Sequence, residues 1–395
     1  MYRPLKPYND LPRLPIPFDF ENRIITKQLI QSVDALSSLN ASIKLTPNPN
    51  VLLNNLSIAE ARDSSQIENI VTTNDHLYKA ISLKKKLSQE TKEVLNYRDA
   101  LWKGIESLKK RPLSTNSFVE IVNLINENTS GIRKTPGTTL KNQKKEVIYT
   151  PPEGEDVIRD LLKNLEDFIH CDTDGLHPLI KMGILHYQYE SIHPFYDGNG
   201  RSGRILNILY LLEKKVIDHP SLYLSRYLLK NRDRYYKGLQ GVRDHHHWND
   251  WILLMLKAVE ETARYNFQQV SQINRMMDDT KILIQQVLKK NINTDRFTNI
   301  LYTQPYSRPS HFLKGDIKNI RTVNSYLNKL HQIGLLKKEN TVFGSIYLNQ
   351  SLSHILEQTP FHPNLLNLLN QYECQYALTI NEELKKKASH EYKNQ

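Results

Sequence analysis

The sequence predicts a mostly α-helical fold that carries two small β elements. Apolar residues recur at three- and four-residue spacings through most of the chain, as Ile25, Leu29 and Leu36 illustrate, and this periodicity is typical of amphipathic helices. The 395 residues include 39% hydrophobic residues, 14 Gly and 18 Pro, a composition that excludes collagen-like and wholly disordered chains. A chain of this length is expected to form two or three domains.

The elements follow one another in a simple order. Prolines between residues 1 and 20 remove backbone donors and predict an extended arm. Between 131 and 152, Gly and Pro flank the β-favouring run Val147-Ile148-Tyr149, which predicts a short hairpin or flap at about 137–150. The predicted helices span 21–44, 56–84, 88–110, 116–129, 154–170, 176–192, 201–214, 224–240, 247–270, 281–290 and 294–303.

The stretch after residue 300 predicts a different kind of module. An amphipathic stripe runs from Ile317 to Ile333 and is ended by Gly334, as expected of a helix terminus. Two β-capable runs then flank a predicted turn at Glu339-Asn340. Together with the preceding helices, this order predicts a winged helix, a relative of helix-turn-helix modules.

The charge of the chain limits its class of partner. There are 53 Lys and Arg against 42 Asp and Glu, a net charge of +11, which favours nucleic acid, nucleotide phosphates or an acidic surface. Residues 281–350 hold 11 basic and three acidic residues, a net of +8. For this segment, DNA binding and a role in protein docking or dimerisation are equally favoured. DNA binding would place phosphates near Lys314, Lys318, Arg321 and Lys329.

Other compositional features exclude several classes of protein. Cys171 and Cys374 are far apart, so neither a disulfide framework nor a thiolate zinc site is predicted. No apolar run is long enough to span a membrane, and the first residues lack the apolar core of a signal peptide. A cytoplasmic protein without a membrane partner is therefore expected.

The most informative stretch is SIHPFYDGNGRSGR at 191–204. Gly198 and Gly200 bracket Asn199 directly before an apolar-periodic helix, so free N–H groups and the positive end of the helix dipole converge there, which favours anion binding. Arg201 and Arg204 share one face of that helix and can offer two guanidinium forks to phosphate oxygens. The pattern predicts a polyphosphate site.

Three neighbouring side chains add chemistry to this site. His193 can remove a hydroxyl proton near neutral pH. Asp197 offers a hard oxygen ligand suited to Mg²⁺, which one or two carboxylates usually hold together with substrate phosphates. Phe195 is interpreted as a core anchor and His186 as a packed or supporting residue. His245-His246-His247 has no carboxylate or thiol partner at ligand spacing and is interpreted as a solvated loop.

These residues resemble a known family. HPFYDGNGRSGR fits the HPFx[DE]GNGRxxR signature of Fic-domain proteins without a mismatch. The segments LPRLPIPFDFENRI, EARDSSQIENI and VIYTPPEGEDVI look like Fic N-terminal and flap segments, and YLNKLHQIGLL resembles the winged helix of many bacterial members. The resemblance implies a Fic-type helical bundle with a β-hairpin flap and a C-terminal winged-helix domain. The expected parts are an N-terminal helical region at 1–110 with an inhibitory helix at about 56–70, a catalytic core at 111–270, a winged helix at 280–350 and a helical tail at 351–395.

The family's activity is transfer of AMP from ATP to a Ser, Thr or Tyr hydroxyl of a protein, with release of pyrophosphate. By resemblance, His193 is the general base and Asp197 the Mg²⁺ ligand. Arg201 and Arg204 hold the β and γ phosphates. Gly198, Asn199 and Gly200 cradle the phosphates.

Two further segments take their roles from the resemblance. Ser64-Ser65-Gln66-Ile67-Glu68-Asn69 fits the inhibitory motif [ST]xxxE[GN], in which the glutamate, here Glu68, competes with the γ-phosphate for Arg204. Flap residues Val147, Ile148 and Tyr149 are expected to dock the target by main-chain pairing, and the last two are also candidates to cover the nucleotide. Tyr236 corresponds to an aromatic residue near the adenine, and some relatives carry Asn in place of Arg243.

Two alternatives to autoinhibited AMP transfer stay open. In the first, the chain is a DNA-binding regulator that uses the Fic core as a nucleotide sensor. In the second, it is a Fic enzyme that moves another phosphate-containing group or mainly removes AMP. Intact His193 and Arg204 argue against a catalytically dead core. The expected partners are ATP, Mg²⁺ and a protein substrate, which includes the chain itself, and a homodimer is compatible with the sequence.

Overall fold

We describe the protein from a computed structural model. The structure describes residues 2–83, 87–142, 144–288, 292–313, 317–342 and 344–357. Most of the predicted helical tail at 351–395 therefore lies outside the described residues, as do Lys314 and Cys374. The chain divides into two compact units. One comprises Met1–Leu45, Leu56–Leu77 and Lys86–Gln268, and the other Thr46–Asn55, Tyr78–Lys85 and Gln269–Gln395.

The mostly helical fold class is confirmed. The helices are α1 Arg23–Lys44, α2 Pro49–Ile67, α3 Asn74–Leu83, α4 Gln89–Leu108, α5 Thr115–Asn126, α6 Glu155–His170, α7 Pro178–Ile192, α8 Asn199–Glu213, α9 Ser225–Lys230, α10 Arg232–His245, α11 Trp248–Leu288, α12 Thr294–Thr303, α13 Ile320–Gln332 and α14 Gln350–Glu357, with a short 3-10 helix at Pro309–Phe312. The strands are β1 Leu140–Lys141, β2 Val147–Tyr149, β3 Tyr306–Ser307, β4 Leu336–Thr341 and β5 Gly344–Asn349. No helix within the described ranges is long and apolar enough to cross a membrane.

The core of the first unit is built around α7 and α8. Every residue of α7 from Leu179 to Ile192 is buried, including the polar Lys181, His186 and Glu190. Trp251 of α11 is fully buried and its indole Nε1 donates a hydrogen bond to the Gly183 carbonyl at 2.8 Å. Because α8 packs beside α7, the loop that joins them is held between two buried helices.

The second unit contains a three-stranded antiparallel sheet in the order β3-β5-β4. Helices α12 and α13 precede the β4–β5 hairpin, which is the predicted helix–helix–hairpin order. The predicted turn at Glu339-Asn340 is wrong: both residues lie in β4, opposite Ile346 and Ser345. The hairpin reverses two residues later because Gly344 supplies a positive φ of 101°, which a residue with a side chain rarely adopts.

Three predicted helix boundaries also differ. The helix predicted at 56–84 is two helices, because Asn69 takes a left-handed φ of 64° just after α2. The helix predicted at 224–240 is interrupted at Asn231, between α9 and α10. The helices predicted at 247–270 and 281–290 belong to α11, a single helix of 41 residues. Apolar periodicity identifies helical residues but does not report whether one helix continues into the next.

Candidate active site

The loop between α7 and α8 is fixed by the side chain of Asn199. Its Nδ2 donates to the Phe195 carbonyl at 2.8 Å and its Oδ1 accepts from the Phe195 N–H at 2.9 Å. Phe195 itself is 1% exposed. Both polar groups of the Asn199 side chain thus hold the loop, so its predicted part in phosphate binding falls to its backbone N–H at the start of α8.

A left-handed glycine opens the helix at this point. Gly198 has a φ of 86° and is the N-cap of α8. The N–H groups in the first turn of a helix have no partner within the helix and carry its positive dipole end. The predicted convergence of an anion-binding turn with Arg201 and Arg204 is therefore present in the structure.

Arg204 is a buried cation held by the predicted inhibitory motif. It is 2% exposed, and its Nη2 lies 2.8 Å from Glu68 Oε1. Nε and Nη2 also donate to the hydroxyl and carbonyl oxygens of Ser64 at 2.8 and 2.9 Å. Burial lowers the pKa of Arg204, but Glu68 and other acidic neighbours outweigh it and raise that pKa above its ordinary value. Glu68 thus stabilises the positive charge of Arg204, to which an incoming phosphate would bind.

The Glu68 carboxylate also reaches the predicted phosphate-binding turn at Gly198–Gly200, called the phosphate turn below. A Cβ added at Gly200 would collide with Glu68 Oε1, so a side chain there would push the carboxylate away from the first turn of α8. Asn69, which follows, ends the inhibitory segment in the left-handed conformation, and its Oδ1 accepts from Arg232 at 3.0 Å. An anionic group therefore occupies the position that the sequence assigns to phosphate.

Arg201 is equally buried but is held by different partners. Its Nη2 lies 3.0 Å from Asp197 Oδ2 and 3.2 Å from Asn126 Oδ1, and its Nη1 lies 3.5 Å from Glu93 Oε2. The Asp197 side chain is 75% exposed. Arg201 therefore faces two carboxylates, Asp197 and Glu93, whereas Arg204 is paired with Glu68.

A magnesium ion fits this site only together with a substrate. Among the residues that the structure describes, no group of three or more His, Cys, Asp or Glu is arranged to hold a metal ion. Asp197 is one exposed carboxylate beside a phosphate-sized anion site, and Mg²⁺ is commonly bound by one carboxylate plus substrate phosphates. The donor set suits an ion that arrives with the nucleotide.

His193 follows α7 in a left-handed conformation, with φ 49° and its N–H bonded to the Tyr189 carbonyl at 3.0 Å. Its Nδ1 is buried without a hydrogen-bond partner among the described residues. Burial and, next, the positive charge of Arg133 lower the pKa of His193 to about 3. The imidazole is therefore neutral at physiological pH and able to accept a proton.

Two more titratable groups lie behind this loop. His186 is fully buried between the Gly203 carbonyl and the Tyr235 hydroxyl, and its pKa is lowered to about 3 by burial and then by Arg204. Burial raises the pKa of Glu190 to about 7, although Arg204 opposes the rise. His186 is thus a packed residue, as predicted, and Glu190 is a buried acid that the sequence interpretation missed.

The predicted flap is present, with β1 and β2 paired antiparallel. Val147 and Ile148 are partly exposed, but Tyr149 is fully buried. The Tyr149 hydroxyl donates to the Ser191 carbonyl at 2.6 Å, and the Arg243 guanidinium lies over its ring at 3.9 Å. The Tyr149 side chain is therefore a packed support of the flap, which leaves it unable to contact a target directly.

The extended N-terminal arm lies along the flap, a contact that the sequence did not reveal. The Tyr2 hydroxyl donates to the Ile148 carbonyl at 2.5 Å, and the Tyr8 N–H donates to the Thr150 carbonyl at 3.1 Å. At the other side of the predicted site, Tyr236 is 39% exposed. It lies on α10 beside the buried Tyr235, where it remains accessible to a ligand.

Glu60 is the second functional candidate that sequence reasoning missed. It lies one and two turns before Ser64 and Glu68 on α2, so the four-residue spacing could have revealed the shared face. It is 2% exposed and accepts from the Tyr97 hydroxyl at 2.8 Å and the Ser225 hydroxyl at 2.5 Å. Burial raises its pKa to about 7. Glu60 therefore anchors α2 to α4 and α9.

Three segments of the chain match models of known protein families. Residues 26–106 match the model described as Fic/DOC family N-terminal, residues 112–211 match that of the Fic/DOC family, and residues 276–352 match that of the protein adenylyltransferase SoFic-like C-terminal domain. Together these matches span more than half of the chain. The protein belongs to the Fic family.

Relatives of known name and structure agree with this assignment. Protein adenylyltransferase Fic of Drosophila willistoni is 30% identical over 105 residues, which are 26% of this chain and 20% of the relative. The protein of the same name from Nematostella vectensis is 36% identical over 58 residues, or 15% of this chain and 14% of the relative. The chain thus spans a fifth or less of these relatives. A Fic family protein from Desulfovibrio desulfuricans G20 has a TM-score of 0.55 at 20% identity over 83% of this chain and 97% of that chain, which confirms the fold.

We predict that Glu60 makes stability pH-dependent. Its pKa is raised from 4.5 to about 7, so the folded state binds more protons than the unfolded state between these values. The stabilising contribution of protonated Glu60 to the free energy of unfolding is complete below pH 4.5. It is lost as pH rises through 7, a loss of roughly 3 kcal/mol. Urea unfolding of wild type and Glu60→Gln from pH 4 to 8 should show wild type losing this much relative to the variant. A difference that stays constant with pH would contradict the assignment.

Proposed function

We propose that this protein transfers AMP from ATP to a hydroxyl group of a protein side chain and releases pyrophosphate. The observation that carries the proposal is the turn at the start of α8, where two buried guanidinium groups and a helix N-terminus converge. The helix begins six residues after a neutral histidine, His193. The names of the matched relatives support the same activity. Such a site suits phosphoryl chemistry, in which positioning and charge neutralisation do most of the work.

Each residue of the turn would then have one task. The triphosphate would bind at the N-terminus of α8, with Arg201 and Arg204 on its β and γ groups. His193 would take the proton of the target hydroxyl as its oxygen attacks the α-phosphorus, and pyrophosphate would leave on the opposite side. Asp197 would hold Mg²⁺, which neutralises phosphate charge. The lowered pKa of His193 keeps its imidazole neutral, so it can accept a proton, and it also makes the ring a weaker base than a free imidazole.

Glu68 would inhibit this reaction by holding Arg204. A carboxylate and a γ-phosphate cannot share one guanidinium, so the site has two states, and the nucleotide must displace Glu68 to bind productively. Ser64 and Glu60 strengthen the inhibited state because they fix α2 in place through the hydrogen bonds described above. The same glutamate could assist AMP removal, which makes a bifunctional enzyme the nearest variant of this proposal.

The protein target would dock on the flap strand. Residues Val147 and Ile148 are exposed enough to pair with an extended segment by their main chain. Because the arm occupies the Ile148 and Thr150 carbonyls, a target that pairs there must displace Tyr2 and Tyr8. The acceptor is expected to be a Ser, Thr or Tyr of a cytoplasmic protein or of the chain itself, including a second copy in a homodimer.

We predict that Glu68→Gly raises AMP incorporation about tenfold or more, because a competitor worth 1.4 kcal/mol changes occupancy by a factor of ten. The measurement is label from α-³²P-ATP in the protein or in lysate proteins. Glu106→Gly is the control, since Glu106 pairs with Lys103 on the surface and should leave labelling unchanged. Equal labelling in Glu68→Gly and wild type would refute the inhibitory role.

His193→Ala in the Glu68→Gly background should lower labelling by about 10²–10⁴-fold, the usual contribution of a general base. ATP binding measured by calorimetry should persist, because the substitution leaves the phosphate turn intact. Transfer that continues at the parent rate would show that another group takes the proton.

A DNA partner is a second candidate function, favoured by the exposed Lys318 and Arg321 at the start of α13 and the exposed Lys329 in its last turn. Three phosphate contacts predict an affinity roughly 10- to 100-fold higher at 50 mM than at 200 mM salt. Fluorescence anisotropy with duplex DNA measures this, with Lys318→Gln and Arg321→Gln together as the control that should reduce the salt dependence. Absence of binding at 50 mM salt would exclude the DNA role.

A further inference from the structure

Arg133 lies in the segment between α5 and β1 and is a buried cation that, among the described residues, makes no ion pair with a carboxylate. Its side chain is 1% exposed. The charge of Glu153 acts on its guanidinium only at longer range, and its Nη1 is buried without a hydrogen-bond partner among the described residues. Buried guanidinium groups are ordinarily paired with carboxylates because desolvation is costly. We therefore expect a buried arginine without an ion pair to fix the positions of the groups it contacts rather than to stabilise the fold.

Those contacts all go to backbone carbonyls of the catalytic loop and the flap. Nε donates to the His193 carbonyl at 2.8 Å, and Nη2 donates to the Ile192 carbonyl at 3.3 Å and to the Pro152 carbonyl. The Arg133 N–H also donates to the Pro194 carbonyl at 3.0 Å. The Arg133 side chain therefore joins Ile192 and His193 to Pro152 at the end of the flap, and its backbone N–H holds Pro194.

The conformation of His193 explains why such a clamp is needed. Its φ of 49° is left-handed, which costs free energy for a residue with a side chain and persists only where the surroundings impose it. A loss of the carbonyl contacts would let the peptide groups on both sides of His193 rotate. The imidazole would then leave the direction from which it reaches a hydroxyl above the phosphate turn.

We infer that Arg133 is the positioning residue of this site, which fixes the backbone that carries His193 and ties it to the end of the flap. The inference rests on the proposed role of His193 as the general base. A second consequence follows from charge. The Arg133 cation disfavours a proton on His193, after burial and ahead of Arg243, so its removal should raise the pKa of the imidazole.

Two variants separate position from charge, each made in the Glu68→Gly background. Arg133→Lys keeps the charge but loses the fork that spans three carbonyls. We expect kcat for AMP transfer to fall about 10- to 100-fold, the scale of a small misplacement of a reacting group, with an unchanged KM for ATP. Arg133→Gln should lower kcat similarly and also raise the pKa of His193 by about one unit. Arg264→Gln, at a half-exposed arginine paired with Glu260, is the control and should change neither quantity.

The pKa is measured by NMR of the histidine ring protons, with the His193 resonance assigned by its loss in His193→Ala. Unchanged kcat in both variants, or a His193 titration in Arg133→Gln that equals the parent's, would overturn the inference. If Arg133→Gln does not fold by circular dichroism, Arg133→Lys alone decides through kcat. An inactive Glu68→Gly parent would contradict the proposed function, while the NMR titration would still test Arg133.

Discussion

The ion pair between Arg204 and Glu68 is the interaction on which the rest of the site depends. A guanidinium buried at the positive end of a helix requires an anion, since neither water nor the helix dipole can compensate its charge. In this structure Glu68 supplies that anion, and Ser64 accepts from Nε and Nη2 of Arg204. Under the proposed function a phosphate would meet the same requirement, so inhibition and substrate binding would follow from one constraint.

Two glycines leave space for carboxylates close to the buried Arg204. Gly200 leaves room for Glu68, and a Cβ at Gly203 would lie 2.6 Å from Glu190 Oε1. Glu60 and Glu190 both have a pKa of about 7 because they are buried, so the charge around Arg204 changes with proton concentration near neutrality. The glycines of the GNGRSG run thus provide space for anionic groups as well as a tight turn.

The sequence predicted the parts of the site that are local and missed those that are distant along the chain. His193, Asp197, Arg201 and Arg204 lie within twelve residues, where helix periodicity and turn chemistry determine their arrangement. The Glu68–Arg204 pair spans 136 positions and was predicted only through resemblance to a family motif. Arg133 carries no local signal, because its partners are backbone carbonyls far along the chain. Glu60 carries only its four-residue spacing from Ser64 and Glu68, and its hydrogen-bond partners Tyr97 and Ser225 are distant in sequence. The burial of Tyr149 was missed for the same reason: a three-residue strand does not indicate which side chain faces the core.

The most direct test measures how much the γ-phosphate adds to nucleotide binding in wild type and in Glu68→Gly. Calorimetry gives the dissociation constants of ATP and ADP for wild type and for Glu68→Gly. We expect ATP and ADP to bind wild type almost equally, because Glu68 holds Arg204, whereas Glu68→Gly should bind ATP about tenfold more tightly than ADP. The same ATP-to-ADP ratio in both proteins would contradict the claim that Glu68 and the γ-phosphate compete for Arg204.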